Sequence, residues 1–252
     1  MRTAKTVLTV IQERGKQKKP IERVYKLLFN RELYLNAYAK LYPNNGAMTK
    51  GVTNETVDGM SIQKIDRMIE ILREEKYQWK PARREYIKKK NGKKRPLGIP
   101  VWGDKVLQEV MRQILEAYYE PQFSEHSHGF RPNRGCHTAL QEIQVWKGTR
   151  WFIEGDISQY FDTIDHKILL EILARNIHDG RFIRLVSNML EAGYLEEWKF
   201  KQTISGVPQG GVISPILANI YLNEFDNWIE EVLIPKYTKG KRQKSNPEYN
   251  KL

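Results

Sequence analysis

Two carboxylates follow an apolar run in residues 152–162, Phe-Ile-Glu-Gly-Asp-Ile-Ser-Gln-Tyr-Phe-Asp. The run leads to Asp156, and polar and aromatic residues separate Asp156 from Asp162. A carboxylate at the end of a buried strand can hold Mg²⁺ against a phosphate, because Mg²⁺ takes one or two carboxylates plus phosphate oxygens. An ordinary strand-to-helix turn has the same pattern, so these residues alone leave both interpretations open.

A second group of residues carries concentrated positive charge. Nine of the sixteen residues in 80–95 are Lys or Arg, and only Glu85 is acidic. Asn91-Gly92 is a dipeptide favoured in tight hairpin turns, so the segment predicts a β-hairpin with basic side chains. Such side chains can hold a triphosphate or a nucleic-acid backbone, and Arg95 can do so with two parallel hydrogen bonds. The alternative is a solvated charged surface.

Glycines and arginines mark two further segments. Residues 205–215, Ser-Gly-Val-Pro-Gln-Gly-Gly-Val-Ile-Ser-Pro, place three glycines and Gln209 before a helix, where backbone N–H groups and an amide can face a nucleotide. The alternative is a simple helix start capped by Ser214. Arg131 and Arg134 lie in a turn-rich segment, where they can either contact phosphate or shape the turn.

The elements that position these residues are predicted to be mostly helices. Apolar side chains at helical spacing predict helices over 21–41, after Ser61, from Asp104 through Tyr118, through 140–146, after Asp165, over 180–192 and from Pro215 through Val232. Ser61, Asp104 and Asp165 are predicted as helix caps. Strands are predicted for the hairpin, for the run that ends at Asp156 and for Tyr194–Ile204. The predicted fold class is α+β.

Composition and charge narrow the classes of partner that the chain can bind. The 252 residues can form one large domain or two lobes. The net charge of +12 and pI of about 9.6 indicate a polyanionic partner, with nucleic acid ahead of a membrane surface, and a merely soluble basic protein is the alternative. The single Cys136 excludes an internal disulfide and points to a reducing compartment. No apolar stretch approaches the ~20 residues that span a bilayer.

Taken together and in order, four segments resemble the successive fingers and palm blocks of reverse transcriptases. They are residues 93–100, 128–132, 156–162 and 206–215, and their form is that of group II intron-encoded proteins, the bacterial maturases. Residues 51–53 and 56–59 resemble the extra amino-terminal block of that lineage, and the whole resemblance covers about residues 20–235.

The resemblance implies helix-rich reverse transcriptase fingers with part of the palm, divided into an amino-terminal RNA-binding block (1–60), fingers (61–150), a partial palm (151–235) and a basic insertion or tail (236–252). It also implies site roles. Asp156 and the Ile157 carbonyl would bind catalytic Mg²⁺, with Mn²⁺ as an alternative ion. Arg95 and Lys89 would hold the triphosphate, Phe161 would lie under the incoming sugar, and Gln209 would contact the nucleotide or template. Asp162 is not assigned as a metal ligand.

One departure from the family pattern is large. The Tyr-x-Asp-Asp turn that supplies the second metal-binding carboxylate does not occur in the sequence, and neither does any Asp-Asp pair. Two-metal phosphoryl transfer needs both ions held, so we expect this chain by itself to bind RNA without catalysis. The thumb is also missing, and the chain looks like part of a longer protein.

The resemblance therefore implies an RNA-directed DNA polymerase that binds group II intron RNA for splicing and copies it during intron mobility. Its partners would be intron RNA, an RNA template, a DNA primer and dNTPs, without a membrane, and self-association is possible. The expected location is the bacterial cytoplasm. Two alternatives remain: an RNA-binding splicing cofactor whose polymerase is inactive, and another prokaryotic, retron-type reverse transcriptase.

Overall fold

Helices make up most of the structure, a computed structural model that describes residues 2–88, 92, 94–147, 152–197, 199–203, 205–207, 210–239 and 244–245. The α-helices in chain order are α1 (Ala4–Lys16), α2 (Arg31–Leu41), α3 (Ile62–Arg73), α4 (Trp102–Tyr119), α5 (Cys136–Gln144), α6 (Tyr160–Thr163), α7 (His166–Asn176), α8 (Gly180–Leu190), α9 (Ser214–Asn227) and α10 (Ile234–Tyr237). Short 3₁₀ helices cover Val24–Phe29, Val57–Gly59 and Glu120–Gln122, and a π-helical stretch covers Trp228–Leu233.

The strands form small sheets. They are β1 (Ile21–Glu22), β2 (Ala82–Lys88), β3 (Lys94–Ile99), β4 (Ile177–His178), β5 (Tyr194–Glu196), β6 (Lys199–Lys201), β7 (Thr238–Lys239) and β8 (Lys244–Ser245). The largest sheet has the order β3-β2-β5-β6, in which β2 and β5 are parallel and the other pairs antiparallel. Its β2–β3 pair confirms the predicted basic hairpin. The predicted α+β class agrees with these mixed helices and sheets.

Two predicted helix caps are confirmed. The Ser61 hydroxyl accepts the Lys64 N–H at 3.2 Å, and the Asp165 carboxylate accepts the Ile168 N–H at 2.9 Å. Both bonds satisfy a backbone donor that has no partner within the helix, so α3 and α7 begin where the sequence predicts.

The prediction that Asp104 is a cap was wrong. Helix α4 begins at Trp102 after Val101, whose side chain makes no capping bond, so Asp104 lies inside the first turn. Its carboxylate instead accepts bonds from the Tyr77 hydroxyl and the Lys80 N–H.

The prediction of one helix over 21–41 was also wrong. Asn30 interrupts it, because the Asn30 backbone is extended and its side chain accepts the Glu32 N–H at 3.0 Å, which starts α2. Residues 21–29 form β1 and a 3₁₀ helix instead. The predicted single strand at Tyr194–Ile204 is a hairpin of β5 and β6, with Glu197 in the left-handed conformation at φ 49°; Ile204 lies outside the described residues.

The predicted strand up to Asp156 is absent, and this is the main correction to the fold. Residues 152–157 have no regular secondary structure, and no described strand pairs with them. The side chains of Phe152 and Ile153 are 66% and 93% exposed, so the apolar run is not buried against any described element. A strand needs a neighbour for its backbone N–H and C=O groups, and apolar side chains alone do not supply one.

Helix α4 lies at the centre of the core. Thirteen of its eighteen residues are buried, and α1 packs so closely on it that a Cβ at Gly15 would lie 2.1 Å from the Tyr118 carbonyl oxygen. One hydrophobic cluster holds buried residues from Ala4 to Ile220. The domain boundaries proposed from the sequence stay predictions. Within the described part of the chain, no helix is both long and apolar enough to cross a membrane.

Candidate active site

The Phe161 motif and the glycine-rich segment lie against each other. Gln159 adopts a left-handed conformation at φ 52°, which turns the chain into the short helix α6 that contains Phe161. The Phe161 carbonyl then accepts the Val207 N–H at 2.7 Å, and the Ile164 carbonyl accepts the Gly206 N–H at 2.8 Å. The structure therefore brings together two segments that are about forty residues apart in the sequence.

Two glycines make this contact possible. Gly206 has φ 87°, and a Cβ there would lie 2.7 Å from the Phe161 carbonyl oxygen. Gly210 has φ 104°, and a Cβ there would lie 2.8 Å from the Gly98 carbonyl oxygen on β3. Both conformations and both close approaches favour glycine, because a side chain would be strained and would collide with backbone. The glycine-rich segment thus joins the Phe161 motif to the basic hairpin.

Arg95 lies on the same strand as Gly98. It pairs in register with Ile87 of β2, and its side chain is exposed. Gly92 has φ 78°, which fits the tight turn predicted from Asn91-Gly92, although Asn91 itself is not among the described residues. Lys89 and Gln209, two predicted site residues, also lie outside the described residues.

Helix α4 holds the segments around the site through side chains that sequence reasoning missed. The Gln108 side-chain oxygen accepts the Val212 N–H at 2.9 Å, just after the glycine-rich segment. The Lys105 ammonium donates to the carbonyls of Gly46 and Thr49 at 3.1 and 3.0 Å. Burial lowers the pKa of Lys105, and the charge of Arg83 lowers it further. Helical spacing gave no signal for these roles, because it places Lys105 and Gln108 on the polar side of α4, and only the burial of α4 on nearly all sides encloses them.

Asp104 is the third buried polar group of α4. Burial raises the pKa of its carboxyl to about 6, against the ordinary 3.8, although the hydrogen bonds from Tyr77 and Lys80 act in the opposite direction. Burial raises the pKa of the Tyr77 hydroxyl, and its contact with Asp104 raises this pKa further. This pair ties the segment before the hairpin to the first turn of α4.

Asp156 lies in the exposed loop before α6. Within the described part of the chain its carboxylate makes no hydrogen bond or ion pair, so its oxygens are available to a ligand. The adjacent Ile157 has a side chain that is 55% exposed. Phe161 is half-buried, and its ring meets the Phe130 ring edge-on at 6.3 Å. Asp162 lines a cavity of about 320 Å³ together with Arg84 and Tyr194.

The arginine turn is built differently from a phosphate site. Arg131 is buried, forms an ion pair with Glu120 at 3.0 Å and donates to the Ser127 carbonyl at 2.8 Å. Its guanidinium also lies over the Phe123 ring. Because its donors are used inside the protein, the structure favours the turn-shaping interpretation for Arg131 over phosphate contact.

His126 and His128 both contact Glu142 of α5. The bonds from these imidazoles lower the pKa of the Glu142 carboxyl, with His128 as the larger cause. Across the described ranges, no group of three or more His, Cys, Asp or Glu side chains is arranged to hold a metal ion. A metal at Asp156 would therefore need oxygen ligands from a substrate, as Mg²⁺ commonly takes.

The candidate site therefore consists of a basic hairpin that a glycine-rich segment joins to an aspartate–aromatic motif. Residues 87–239 match the sequence profile of the family described as reverse transcriptase (RNA-dependent DNA polymerase). The chain belongs to the reverse transcriptase family.

Two relatives place the chain more narrowly within this family. The chain is 47% identical over 232 residues to the group II intron-encoded protein LtrA of Lactococcus lactis subsp. cremoris, covering 91% of this chain and 39% of LtrA. It is also 47% identical over 237 residues to an uncharacterized 91 kDa protein of the cob intron in Schizosaccharomyces pombe, covering 91% of this chain and 29% of that protein. These relatives confirm the predicted resemblance to group II intron-encoded proteins. The chain spans about two fifths of the length of LtrA.

A solved structure supports the fold alone. The chain superposes on a chain of a partial Cas6-RT-Cas1–Cas2 complex with a TM-score of 0.54 and 19% identity, covering 85% of this chain and 35% of that one.

Proposed function

We propose that this chain is the fingers and partial palm of a group II intron reverse transcriptase and maturase. The longer protein would extend the 3′-hydroxyl of a DNA primer with dNTPs on an intron RNA template. The observation that carries this proposal is the junction at Gly206 and Gly210, which holds the Phe161 motif and the Arg95 strand against one segment. This junction supports the proposal because a sugar contact at Phe161 and a triphosphate contact at Arg95 would then serve one nucleotide.

Each predicted site residue then has a role. Arg95, together with Lys89, holds the triphosphate oxygens through charge-assisted hydrogen bonds. The Phe161 ring lies under the incoming sugar and disfavours a 2′-hydroxyl. Gln209 contacts the nucleotide or template near the primer end. Lys105 and Gln108 act on neither substrate, and instead hold the loop at 46–49 and the segment at Val212 in place.

The residues at Asp156 fit one magnesium site. The carboxylate is exposed and without a partner among the described residues, and carboxylate and carbonyl oxygens are hard ligands that suit Mg²⁺ or Mn²⁺. Asp156 and the Ile157 carbonyl would hold the ion. When bound, it would offset the negative charge of the phosphates during in-line transfer.

One carboxylate does not make a two-metal site. The sequence contains no Tyr-x-Asp-Asp turn, so we propose that these 252 residues bind RNA but do not polymerise DNA by themselves. Polymerase activity would need the second carboxylate from the longer protein.

Primer extension by the longer protein tests the proposal. Asp156→Ala should reduce extension by at least about a thousandfold, because the metal ion loses a protein ligand, while RNA binding changes little. Glu154→Ala removes an equally exposed carboxylate two residues away and serves as the matched control. An Asp156→Ala protein that extends primers normally would exclude the metal role. A wild-type longer protein that binds intron RNA without extending primers would favour the inactive splicing cofactor.

A further inference from the structure

His166 is a side chain beside the candidate site to which the proposed polymerase assigns no role. It is the first residue of α7, directly after the cap Asp165, and it is half-buried. Its Nε2 lies 2.6 Å from the carbonyl oxygen of Gly206, forty residues further along the chain. A carbonyl oxygen only accepts hydrogen bonds, so the imidazole must carry a hydrogen on Nε2 and donate it. A side chain of α7 therefore holds the backbone of the glycine-rich segment.

This bond fixes one side of a peptide unit whose other side is also held. The Gly206 carbonyl and the Val207 N–H belong to the same planar group. The Val207 N–H donates to the Phe161 carbonyl at 2.7 Å, so the peptide unit has a partner on each side. Gly206 and Val207 are both buried, and buried backbone groups depend on protein partners. The orientation of this peptide unit is thus set by His166 and Phe161 together.

Glycine alone does not hold this orientation. Gly206 has φ 87°, and glycine enters and leaves this region of conformational space at little cost. The Gly206 N–H donates to the Ile164 carbonyl at 2.8 Å, but that bond fixes the preceding peptide unit. The peptide unit of residues 206–207 can still rotate about the bond between the Cα and the carbonyl carbon of Gly206. The hydrogen bond from His166 opposes this rotation.

Phe161 is the residue that such a rotation would affect. It lies in α6, a helix of only four residues, and its carbonyl bonds to the glycine-rich segment through the Val207 N–H. Its ring meets the Phe130 and Tyr160 rings edge-on at 6.3 and 5.7 Å. Loss of the bond to Val207 would free the Phe161 backbone, and the ring would move with it. His166 therefore influences the proposed sugar contact through one peptide unit.

The surroundings of His166 allow its bond to be removed by itself. The residue lines a cavity of about 690 Å³ together with Lys167, Glu171, Gln202 and Thr203. An apolar side chain of similar size can occupy this position without crowding the hydrophobic core, because free space adjoins it. A substitution to leucine should therefore remove the donor and leave the packing largely intact.

We propose that His166 is a positioning residue for sugar selection. By donating to the Gly206 carbonyl it holds the peptide unit that in turn holds Phe161, and it touches no substrate itself. This inference rests on the proposed function, since it assigns His166 to the same nucleotide site. It predicts that loss of the donor lowers the preference for a dNTP over the matching rNTP. A role in stability alone predicts an equal loss of activity with both nucleotides.

Nucleotide selectivity of the longer protein provides the first test. The measured quantity is the ratio of kcat/KM for a dNTP to kcat/KM for the matching rNTP in primer extension, which does not depend on the fraction of folded enzyme. His166→Leu should lower this ratio about tenfold, because one hydrogen bond that positions Phe161 is lost. His166→Gln supplies an amide N–H at a similar reach and should keep the ratio within about twofold of the wild type.

His137→Leu is the matched control. His137 is exposed on α5 and makes no hydrogen bond or ion pair within the described ranges, so its loss should leave the ratio unchanged. An unchanged ratio in His166→Leu would overturn the proposal. A ratio as low in His166→Gln as in His166→Leu would also overturn it, since the donor would then not matter.

Hydrogen exchange tests the geometry without polymerase activity. In the 252-residue chain, His166→Leu should speed exchange of the Val207 amide about tenfold, and His166→Gln should stay near the wild type. Unchanged exchange in His166→Leu would overturn the role of the bond. In the longer protein, loss of selectivity in Phe161→Ala but not in His166→Leu would overturn the role of His166 alone. A wild-type longer protein that extends no primer would instead refute the proposed function, and sugar selection with it.

Discussion

Three polar side chains on one helix do most of the positioning at the residue scale. Asp104, Lys105 and Gln108 of α4 are all less than 9% exposed, and each holds a different segment: residues 77–80, the loop at 46–49, and Val212 after the glycine-rich segment. Buried polar groups are costly without partners, and here their partners are mainly backbone groups of loops. The result is that loops around the site are tied to the most buried helix.

The pH dependence of stability should report on Asp104. The folded protein raises the pKa of this carboxyl to about 6 from 3.8, chiefly through burial, so it binds the proton more tightly than the unfolded chain. Its contribution to the free energy of unfolding is therefore largest at low pH and is lost as the pH rises through about 6. Asp104→Asn, which cannot ionise, should remove this dependence.

Urea unfolding of both proteins measures the effect. The free energy of unfolding of the variant, relative to that of the wild type, should rise by up to about 3 kcal/mol as the pH is raised from about 4 to about 7.5. Taking the difference between the two proteins cancels the titration of other carboxylates. A difference that does not change with pH would show that Asp104 titrates as an exposed aspartate does.

Arg95 should act on the nucleotide and Lys94 should not. The two residues are adjacent on β3, so their side chains leave opposite faces of the strand, and Lys94 lies 6.0 Å from the Tyr86 ring. In the longer protein, Arg95→Ala should raise the KM for dNTP by roughly tenfold to a hundredfold, because a charge-assisted contact is lost. Steady-state kinetics with Lys94→Ala as the control checks this. Equal KM changes in the two variants would remove Arg95 from the site.

The glycine-rich segment is the element on which the site depends. It contacts α6 through Gly206 and Val207, β3 through Gly210, and α4 through Val212. No single contact is strong, but together they fix one backbone segment between the helical core and the hairpin. The exposed loop that carries Asp156 is the opposite case, since no described strand supports it.

A methyl group at Gly206 should disrupt this junction. Its φ of 87° is strained for alanine, and the Cβ would lie 2.7 Å from a backbone oxygen that cannot swing away. Gly206→Ala should lower the free energy of unfolding by about 2–3 kcal/mol and speed hydrogen exchange at the Val207 amide. Gly129→Ala is the control, because a Cβ there meets nothing within 4 Å. A Gly206→Ala protein as stable as Gly129→Ala would contradict the geometry of the junction.

At the scale of the whole molecule, charge sets the partner. The chain carries a net charge of +12, and exposed basic side chains lie on the described part of the hairpin and on α1. Such a surface binds nucleic acid chiefly by releasing counterions from phosphates. The chain covers 39% of LtrA and 29% of the cob-intron protein, and we propose that its share of the work is to bind and position RNA.

Affinity of the 252-residue chain for single-stranded RNA should fall steeply with salt. We expect a loss of roughly tenfold or more between about 50 and 200 mM salt, because several phosphate contacts each release counterions. Fluorescence anisotropy titrations measure the slope, and circular dichroism at each salt concentration checks that the fold is unchanged. Affinity independent of salt would contradict the charge argument for the basic hairpin.

The sequence by itself determined the family and part of the local structure. Asn91-Gly92 between basic, β-compatible residues predicted the hairpin, and Ser61 and Asp165 marked the starts of α3 and α7, because turns and caps depend on a few neighbouring residues. The order of four motifs identified the reverse transcriptase family. The roles of Asp156, Arg95 and Phe161 came from that resemblance and stay predictions.

Only the tertiary structure decided which segments meet and which residues are buried. The run before Asp156 has the composition of a strand but has no neighbour to pair with, and pairing is a long-range property that composition does not contain. The sequence left Arg131 open between phosphate contact and shaping the turn, and it predicted Asp104 as a cap. Both side chains are buried with partners from other segments. The junction at Gly206 and Gly210 arises from packing between distant segments, and so only three-dimensional proximity could show it.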